Sequence, residues 1–280
     1  MMPRPIKSIM RRTYYSIMDT IDLVLGDELT PPPSKIAIIG GGDFKKIGEE
    51  FLHYFIELGR LKSNEAVLDV GCGIGRMAVP LTSYLDKKGH YEGFDIWFDG
   101  IDWCRKNITP KYPSFHFQLT DIYSKACNPK GKKKASEYEF PYEDESFNFI
   151  FLTSVFTHML PQDVENYFSE IVRVLKRDGR CLITFFLLNT QSLKSIDEKL
   201  SLLDFKYNFQ GYRTIDKNEP ESAVAYDERF IRAPLLKNFG GFIPLSYQVS
   251  APSKFKDWLV TNQVIFPYAY NTKRESGFTH

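Results

Sequence analysis

Two hydrophobic periods run along this chain. From residue 66 onward, short runs rich in β-branched and aromatic residues alternate with stretches whose apolar positions recur at three- and four-residue steps. That is the pattern of strands alternating with amphipathic helices. The strands read as 66–70, 90–95, 115–119, 147–153, 180–187, 243–249 and 262–268, and the helices as 76–85, 98–107, 161–175 and 228–239. Alternation of this kind predicts parallel βα units with right-handed crossovers. The run Phe147-Asn148-Phe149-Ile150-Phe151-Leu152 is nearly all apolar, as expected of a strand covered by helices on both faces.

The first 35 residues form a separate unit. Ile6, Met10, Tyr14, Ile17, Ile21 and Leu25 mark one helix face, with Arg4, Lys7, Arg11 and Arg12 clustered near its start. This helix reads either as a lid over the main domain or as a basic amphipathic contact with a membrane surface. Pro31-Pro32-Pro33 then makes a stiff spacer. Residues 36–280 form the main domain. Near its start, Gly40-Gly41-Gly42 reads as a close approach to a ligand or as a hinge. Asp43 reads as the cap of a helix whose buried face is Phe51, Leu52, Phe55, Ile56 and Leu58. Two segments break the βα rhythm. The first, 124–139, carries Lys125, Lys130, Lys132, Lys133 and Lys134 and reads as a basic surface loop. The second, 189–227, is polar and lies where open α/β sheets bind ligands, which makes it the candidate substrate cap.

Composition narrows the class. The 280 residues carry a net charge of +1, which argues against a bulk electrostatic grip on nucleic acid. Aromatics make up 15% of the chain, enough to fill a large core and line a pocket. Cys72, Cys104, Cys127 and Cys181 show no metal-type spacing, so reduced thiols in a cytoplasmic protein are expected. No apolar run approaches the ~20 residues of a membrane span, and the N-terminus lacks a secretory leader pattern.

Candidate chemistry collects at successive strand ends. Asp69-Val70-Gly71-Cys72-Gly73-Ile74-Gly75 is a strand–loop–helix joint with glycines at alternate positions, and a carboxylate stands two residues before the first of them. A pyrophosphate would gain nothing from that charge, whereas a ligand carrying an ammonium and a sulfonium could use it. Asp95 ends the next strand, where an acid accepts hydrogen bonds from ribose hydroxyls. Asp121 ends the third strand, within reach of an exocyclic adenine amine. Thr153 to His158 leave the fourth strand beside the reaction zone. No carboxylate–histidine cluster suggests a metal.

These segments together resemble the class I S-adenosylmethionine-dependent methyltransferases. Val67 to Arg76 looks like that superfamily's first motif and Gly93-Phe94-Asp95-Ile96 like its second. Phe140 to Asn148 is similar to the stretch leading into its fourth strand, with Asn148 where Asp is usual. Ile171 to Gly179 resembles the stretch before its fifth strand, with Asp178 in place of the first glycine. The match covers about residues 43–188. It implies a Rossmann-like, seven-stranded, mostly parallel α/β sheet with helices on both faces, plus the N-terminal helix and the cap insertion. It also implies S-adenosylmethionine as cofactor. Gly71, Cys72 and Gly73 would approach the methionyl part with Asp69 near its amino group. Asp95 and Ile96 would hold ribose and adenine, Asp121 and Ile122 the adenine edge, and Thr153 the methionyl group.

The expected reaction is O-methylation of a small-molecule, sugar or lipid-linked acceptor, with His158 as general base. His158 also reads as a bridge to the helix that begins at Pro161. Tyr226-Asp227-Glu228 is a candidate acceptor site, with Asp227 also readable as a helix cap. Rival readings are a protein or RNA methyltransferase docking through the 125–134 lysines, and a non-catalytic cofactor-binding partner.

Overall fold

In the computed structural model the described residues are 13–20, 29–38, 42–201 and 203–231, together with the backbone of one strand near the C-terminus. The helix α1 (13–20) precedes α2 (Pro33–Ile38) and α3 (Phe44–Glu57). Then follow β1 (Ala66–Val70), α4 (Ala78–Tyr84), β2 (His90–Asp95), α5 (Phe98–Asn107), β3 (Phe115–Leu119), β4 (Phe147–Leu152), α6 (Pro161–Val174) and β5 (Leu175–Leu188). The chain closes with α7 (Thr190–Asp197), β6 (Tyr207–Phe209), β7 (Tyr212–Thr214), β8 (Val224–Asp227) and β9 (Gln263–Ala269). The predicted strand 243–249, the helix beyond residue 231 and the basic cluster Arg4 to Arg12 lie outside the described residues. Among the described residues, no helix is long and apolar enough to cross a membrane.

One sheet runs β3-β2-β1-β4-β5-β8-β7-β6, and β9 also pairs with β5. Strands β3 to β5 and β8 are parallel, while β9, β7 and β6 run antiparallel to their neighbours. The chain winds outward from β1 to β3 and then returns to place β4 on the other side of β1. The strand order therefore reverses between β1 and β4, and a crevice opens there at the strands' carboxyl ends.

Strand alternation sorts the side chains into two cores. Leu68 and Val70 of β1 pack on one face with Phe94, Ile150, Phe168 and Ile171. Val67 packs on the other with Phe55, Tyr91, Phe149 and Phe151, where the Phe55 and Phe151 rings stack at 4.3 Å. Helix α3 joins this second core because Phe44, Ile47, Phe51 and Phe55 fall on one stripe. Asp43 caps it by accepting from Lys46 N at 3.1 Å.

The structure corrects two boundaries and explains one departure from the motif. Strand β5 starts five residues before the predicted 180. Phe147 pairs with Leu175 but Phe149 pairs with Arg180, so the residues between form a bulge. Asn148 accepts from Ala66 N at 3.1 Å and Lys176 Nζ at 3.0 Å, tying β1 and the bulge to β4. An amide oxygen serves that purpose without a net charge. The segment 189–227, read as a pure cap, also adds strands to the sheet. Val224 to Asp227 is too short and mixed to read as a strand alone, and it is one because Phe186 to Leu188 offer it a free edge.

Arg180 anchors the other end of the sheet. Its guanidinium donates to Glu65 Oε1 at 3.0 Å, Gly59 O at 3.0 Å and Arg60 O at 2.9 Å. The side chains are only 16% and 9% exposed, so removing one partner strands a buried charge. Glu65→Ala is expected to lower stability by about 3 kcal/mol in urea unfolding followed by circular dichroism. A loss below ~0.5 kcal/mol would match a surface pair and refute the anchor.

Candidate active site

The glycine loop after β1 is held by the end of β2. Gly71 N and Cys72 N donate to Phe94 O at 2.9 and 3.1 Å. Gly73 N donates to Asp95 Oδ2 at 2.7 Å, and Trp97 N, at the start of α5, donates to Asp95 Oδ1 at 2.8 Å. The loop needs glycine at 71 for two reasons. Its φ is +78°, and a Cβ there would stand 2.4 Å from Val155 Cγ2. The resulting backbone lines a cavity of about 830 Å³ at the topological reversal.

Most of the predicted cofactor residues reach that cavity. Gly71, Cys72, Gly73, Asp95, Ile96, Ile122 and Thr153 line its wall. Each Asp95 oxygen accepts one backbone hydrogen bond and keeps a further lone pair for a ligand hydroxyl. Burial pushes its acidity down and these bonds partly restore it. Asp121, however, is exposed and off the wall. Its carbonyl accepts from Lys132 N and Lys133 N, so this position braces the basic loop.

Asp69 also departs from expectation. It shares a strand face with Val67, so its carboxylate points beneath the loop and not into the cavity. Oδ2 accepts from Tyr91 Oη at 2.7 Å, whereas Oδ1 has no hydrogen-bond partner. Burial, only partly offset by that tyrosine, raises its pKa to about 8. The expected fixed charge near a cofactor amine is thus a largely protonated carboxyl at neutral pH. It joins β1 to β2.

A further stretch of the cavity wall begins at the end of β4. Ser154 takes φ +61°, its N–H donates to Thr184 Oγ1 at 2.8 Å, and Thr157 Oγ1 donates back to Ser154 O at 2.8 Å. A turn of 3₁₀ helix, Phe156–His158, follows and brings His158 to the wall. His158 Nδ1–H donates to the backbone carbonyl of Glu221 at 3.0 Å. A carbonyl only accepts, so this bond puts the proton on Nδ1 and leaves the Nε2 lone pair available.

Residues 189–227 supply the facing wall through Leu203, Ile215, Glu221, Ser222 and Ala223. Across the mouth, Lys125 in the basic loop pairs with Glu219 of the insertion at 2.8 Å. Tyr226, Asp227 and Glu228 are not on the wall. Tyr226 is fully buried in β8 with its hydroxyl donated to Met159 O, and Asp227 pairs with Arg229. Its Oδ1 also accepts from Arg229 N at 2.8 Å, as a turn cap does. The alternation of β8 and the helix that begins at residue 228 turn all three away from the cavity. Residues that the sequence did not single out do line it: Arg76, Met77, Asp163, Tyr167 and Glu221. The pair Asp163 and Tyr167 carried one usable signal, the four-residue step that puts both on one helix face.

Residues 68–183 match the family described as a methyltransferase domain. Phosphoethanolamine N-methyltransferase 1 of Arabidopsis thaliana is 28% identical over 147 residues, or 52% of this chain and 26% of that protein. The chain spans about a quarter of the length of the curated plant relatives it matches. Among solved structures, the PH0226 protein of Pyrococcus horikoshii OT3 aligns with a TM-score of 0.55 at 16% identity, covering 83% of this chain and 93% of that one. The 1,6-didemethyltoxoflavin-N1-methyltransferase of Burkholderia thailandensis gives 0.51 at 14% identity, covering 96% and 91%. At these identities the structures speak to the fold.

Two outcomes follow from the loop and its buried acid. Gly71→Ala should abolish binding of S-adenosylhomocysteine in calorimetry while the far-ultraviolet circular dichroism stays native. Undiminished binding would show that the backbone there is not constrained. For Asp69, the folded state keeps a proton that the unfolded chain releases above pH 3.8, so stability falls as pH rises from about 4 to 8. Asp69→Asn should flatten that fall, gaining about 1–3 kcal/mol at pH 8 relative to pH 5 in urea unfolding. A parallel pH dependence in the two proteins would refute the raised pKa. Residues 68–183 thus match a methyltransferase domain, set in a Rossmann-like α/β fold whose glycine loop lies at the reversal of strand order.

Proposed function

We propose that this protein transfers a methyl group from S-adenosylmethionine to a hydroxyl of a small-molecule acceptor, with His158 as general base. The observation that carries this reading is a single cavity that holds both Asp95, hydrogen-bonded to the glycine loop, and His158, whose free Nε2 is set by the Glu221 carbonyl.

The residues present fit the donor. The loop 71–73 brings bare backbone to the wall, and Asp95 has lone pairs left for ribose hydroxyls. Ile96 and Ile122 offer apolar surface for a base. When bound, S-adenosylmethionine supplies a methyl group on a sulfonium whose departure leaves a neutral thioether, so no acid is asked of the protein. The chain's own part is alignment, exclusion of water and removal of a proton. Alignment in a closed site supplies most of the acceleration for such a displacement. His158 Nε2 takes the acceptor proton while Nδ1–H stays on Glu221 O, so the imidazolium that forms keeps its orienting bond.

The choice of a small acceptor rests on the facing wall. Leu203, Ile215 and Ala223 add apolar surface opposite the glycine loop, and the volume is shared by donor and acceptor. Two of the five lysines of the 125–134 loop are already paired, Lys125 with Glu219 and Lys134 with Glu137, which weakens the docking-patch reading for RNA or protein. The plant relatives and the Burkholderia protein are N-methyltransferases by name. A hydroxyl is favoured here because a positioned base is what an oxygen acceptor requires.

Calorimetry with S-adenosylhomocysteine is the direct test. Wild type should bind, and Asp95→Ala should weaken binding by ~1–3 kcal/mol through lost charge-assisted hydrogen bonds. The absence of both heat and thermal shift in wild type would sink the assignment. With a hydroxyl acceptor found by screening, His158→Ala should leave that affinity intact and lower turnover about 10²-fold or more. Unchanged turnover would remove His158 from the role.

A further inference from the structure

The proposed reaction leaves part of the cavity wall unused. Asp163 and Glu221 both line it, from different elements, α6 and the 3₁₀ turn Pro220–Ser222. Asp163 is buried and accepts from Leu160 N at 3.2 Å and from Ser136 N, which fixes its carboxylate in place. The Glu221 carboxylate makes no hydrogen bond or ion pair among the described residues; only its backbone carbonyl is engaged, by His158. The nearest ammonium belongs to Lys125, which pairs with Glu219 instead. Burial and the Asp163 charge make Glu221 harder to ionise, and the charge of Lys125 offsets this only in part.

A third group points to a ligand independently of the acids. Tyr167 stands one helical turn beyond Asp163, is 4% exposed and lines the same cavity. Its ring is fixed edge-on by Phe140 at 5.0 Å and by Phe156. Its hydroxyl lies in the field of Asp163 and Asp95 and has no hydrogen-bond partner among the described residues. The side chain is otherwise enclosed, and the hydroxyl's open side is the cavity, where it is free to bond a ligand.

We propose that Asp163, Glu221 and Tyr167 form a subsite for a positively charged group on the acceptor, an ammonium or alkylammonium. The subsite rests on the methyltransferase reading of the same cavity. Two carboxylates and a hydroxyl oxygen give the acceptor set an ammonium requires, and the partly desolvated wall strengthens the attraction relative to water. The acceptor is then an amino-alcohol or aminophenol in type, its cation held on the acids and its hydroxyl turned to His158. The donor's own sulfonium is a poorer occupant. Anions beside it would stabilise the charged ground state more than the transition state, in which that charge disperses.

The probes are n-butylammonium and n-butanol, which share a chain and differ in charge. Each is titrated into full-length protein saturated with S-adenosylhomocysteine and followed by saturation-transfer NMR. Wild type should bind n-butylammonium at least about tenfold more tightly than n-butanol. Glu221→Gln should remove most of that preference, and Tyr167→Phe should reduce it. Absence of a preference in wild type, including failure of both probes to bind, overturns the subsite, as does a full preference retained in Glu221→Gln. A parallel titration with S-adenosylmethionine and S-adenosylhomocysteine separates the occupants. The subsite for an acceptor cation predicts the same affinity ratio in wild type and Glu221→Gln. Selective loss of S-adenosylmethionine affinity would assign the acids to the sulfonium instead. If wild type fails to take up S-adenosylhomocysteine at all, it is the methyltransferase reading that fails, before the probes are added.

Discussion

The junction between the glycine loop and the end of β2 is the constraint on which the site depends. Four backbone N–H groups, from Gly71, Cys72, Gly73 and Trp97, converge on Phe94 O and the two oxygens of Asp95. The loop therefore cannot move without the strand, and α5 starts from the same carboxylate. Asp95 is held by backbone on both oxygens yet still faces the cavity, so it is pre-oriented for a ligand at no further ordering cost. The close seat of Gly71 against Val155 extends this rigidity to the residue that leads into the His158 turn.

Buried charge is handled in two ways around this junction. On the far side of the loop, Asp69 is neutralised by burial and bonded to Tyr91. The Cys72 and Cys104 thiols are likewise pushed up, chiefly by burial. On the cavity side, Arg76 stays charged over the ring of Phe44 at 5.7 Å, and Asp163 is secured by backbone donors. Burial works against charge on both sides, and on the cavity side backbone donors to Asp95 and Asp163 partly offset it.

The insertion after β5 adds a second wall to the cleft at the strand ends. Its Phe205, Ala223 and Ala225 pack on Phe186 and Leu188 of β5, while it lends Leu203, Ile215 and Glu221 to the wall. The Glu221 carbonyl also fixes the tautomer of His158. The segment that shapes the acceptor space is thereby the one that arms the proposed base.

The strands 66–70, 90–95 and 115–119 and the helix 98–107 were legible to the residue, because period and length agree where helices cover both faces of a sheet. The glycine-loop wall of the cavity was legible for a related reason. Gly71, Gly73 and Asp95 are constrained by backbone geometry within one βαβ unit, and local geometry leaves a local mark. Asp69, Asp121 and Tyr226 were misplaced because sequence order gives a side chain's position along a strand or loop but not which surface the folded neighbours leave open. That the Lys176–Gly179 bulge joins β5, that Val224 to Asp227 becomes a strand, and that Glu221 meets His158 across 63 residues are matters of long-range pairing. Hydrophobic period and glycine spacing, which act over a few residues, determined the fold and the donor's cradle. The wall that faces the glycine loop depends on contacts between distant segments, and only the tertiary structure decided it.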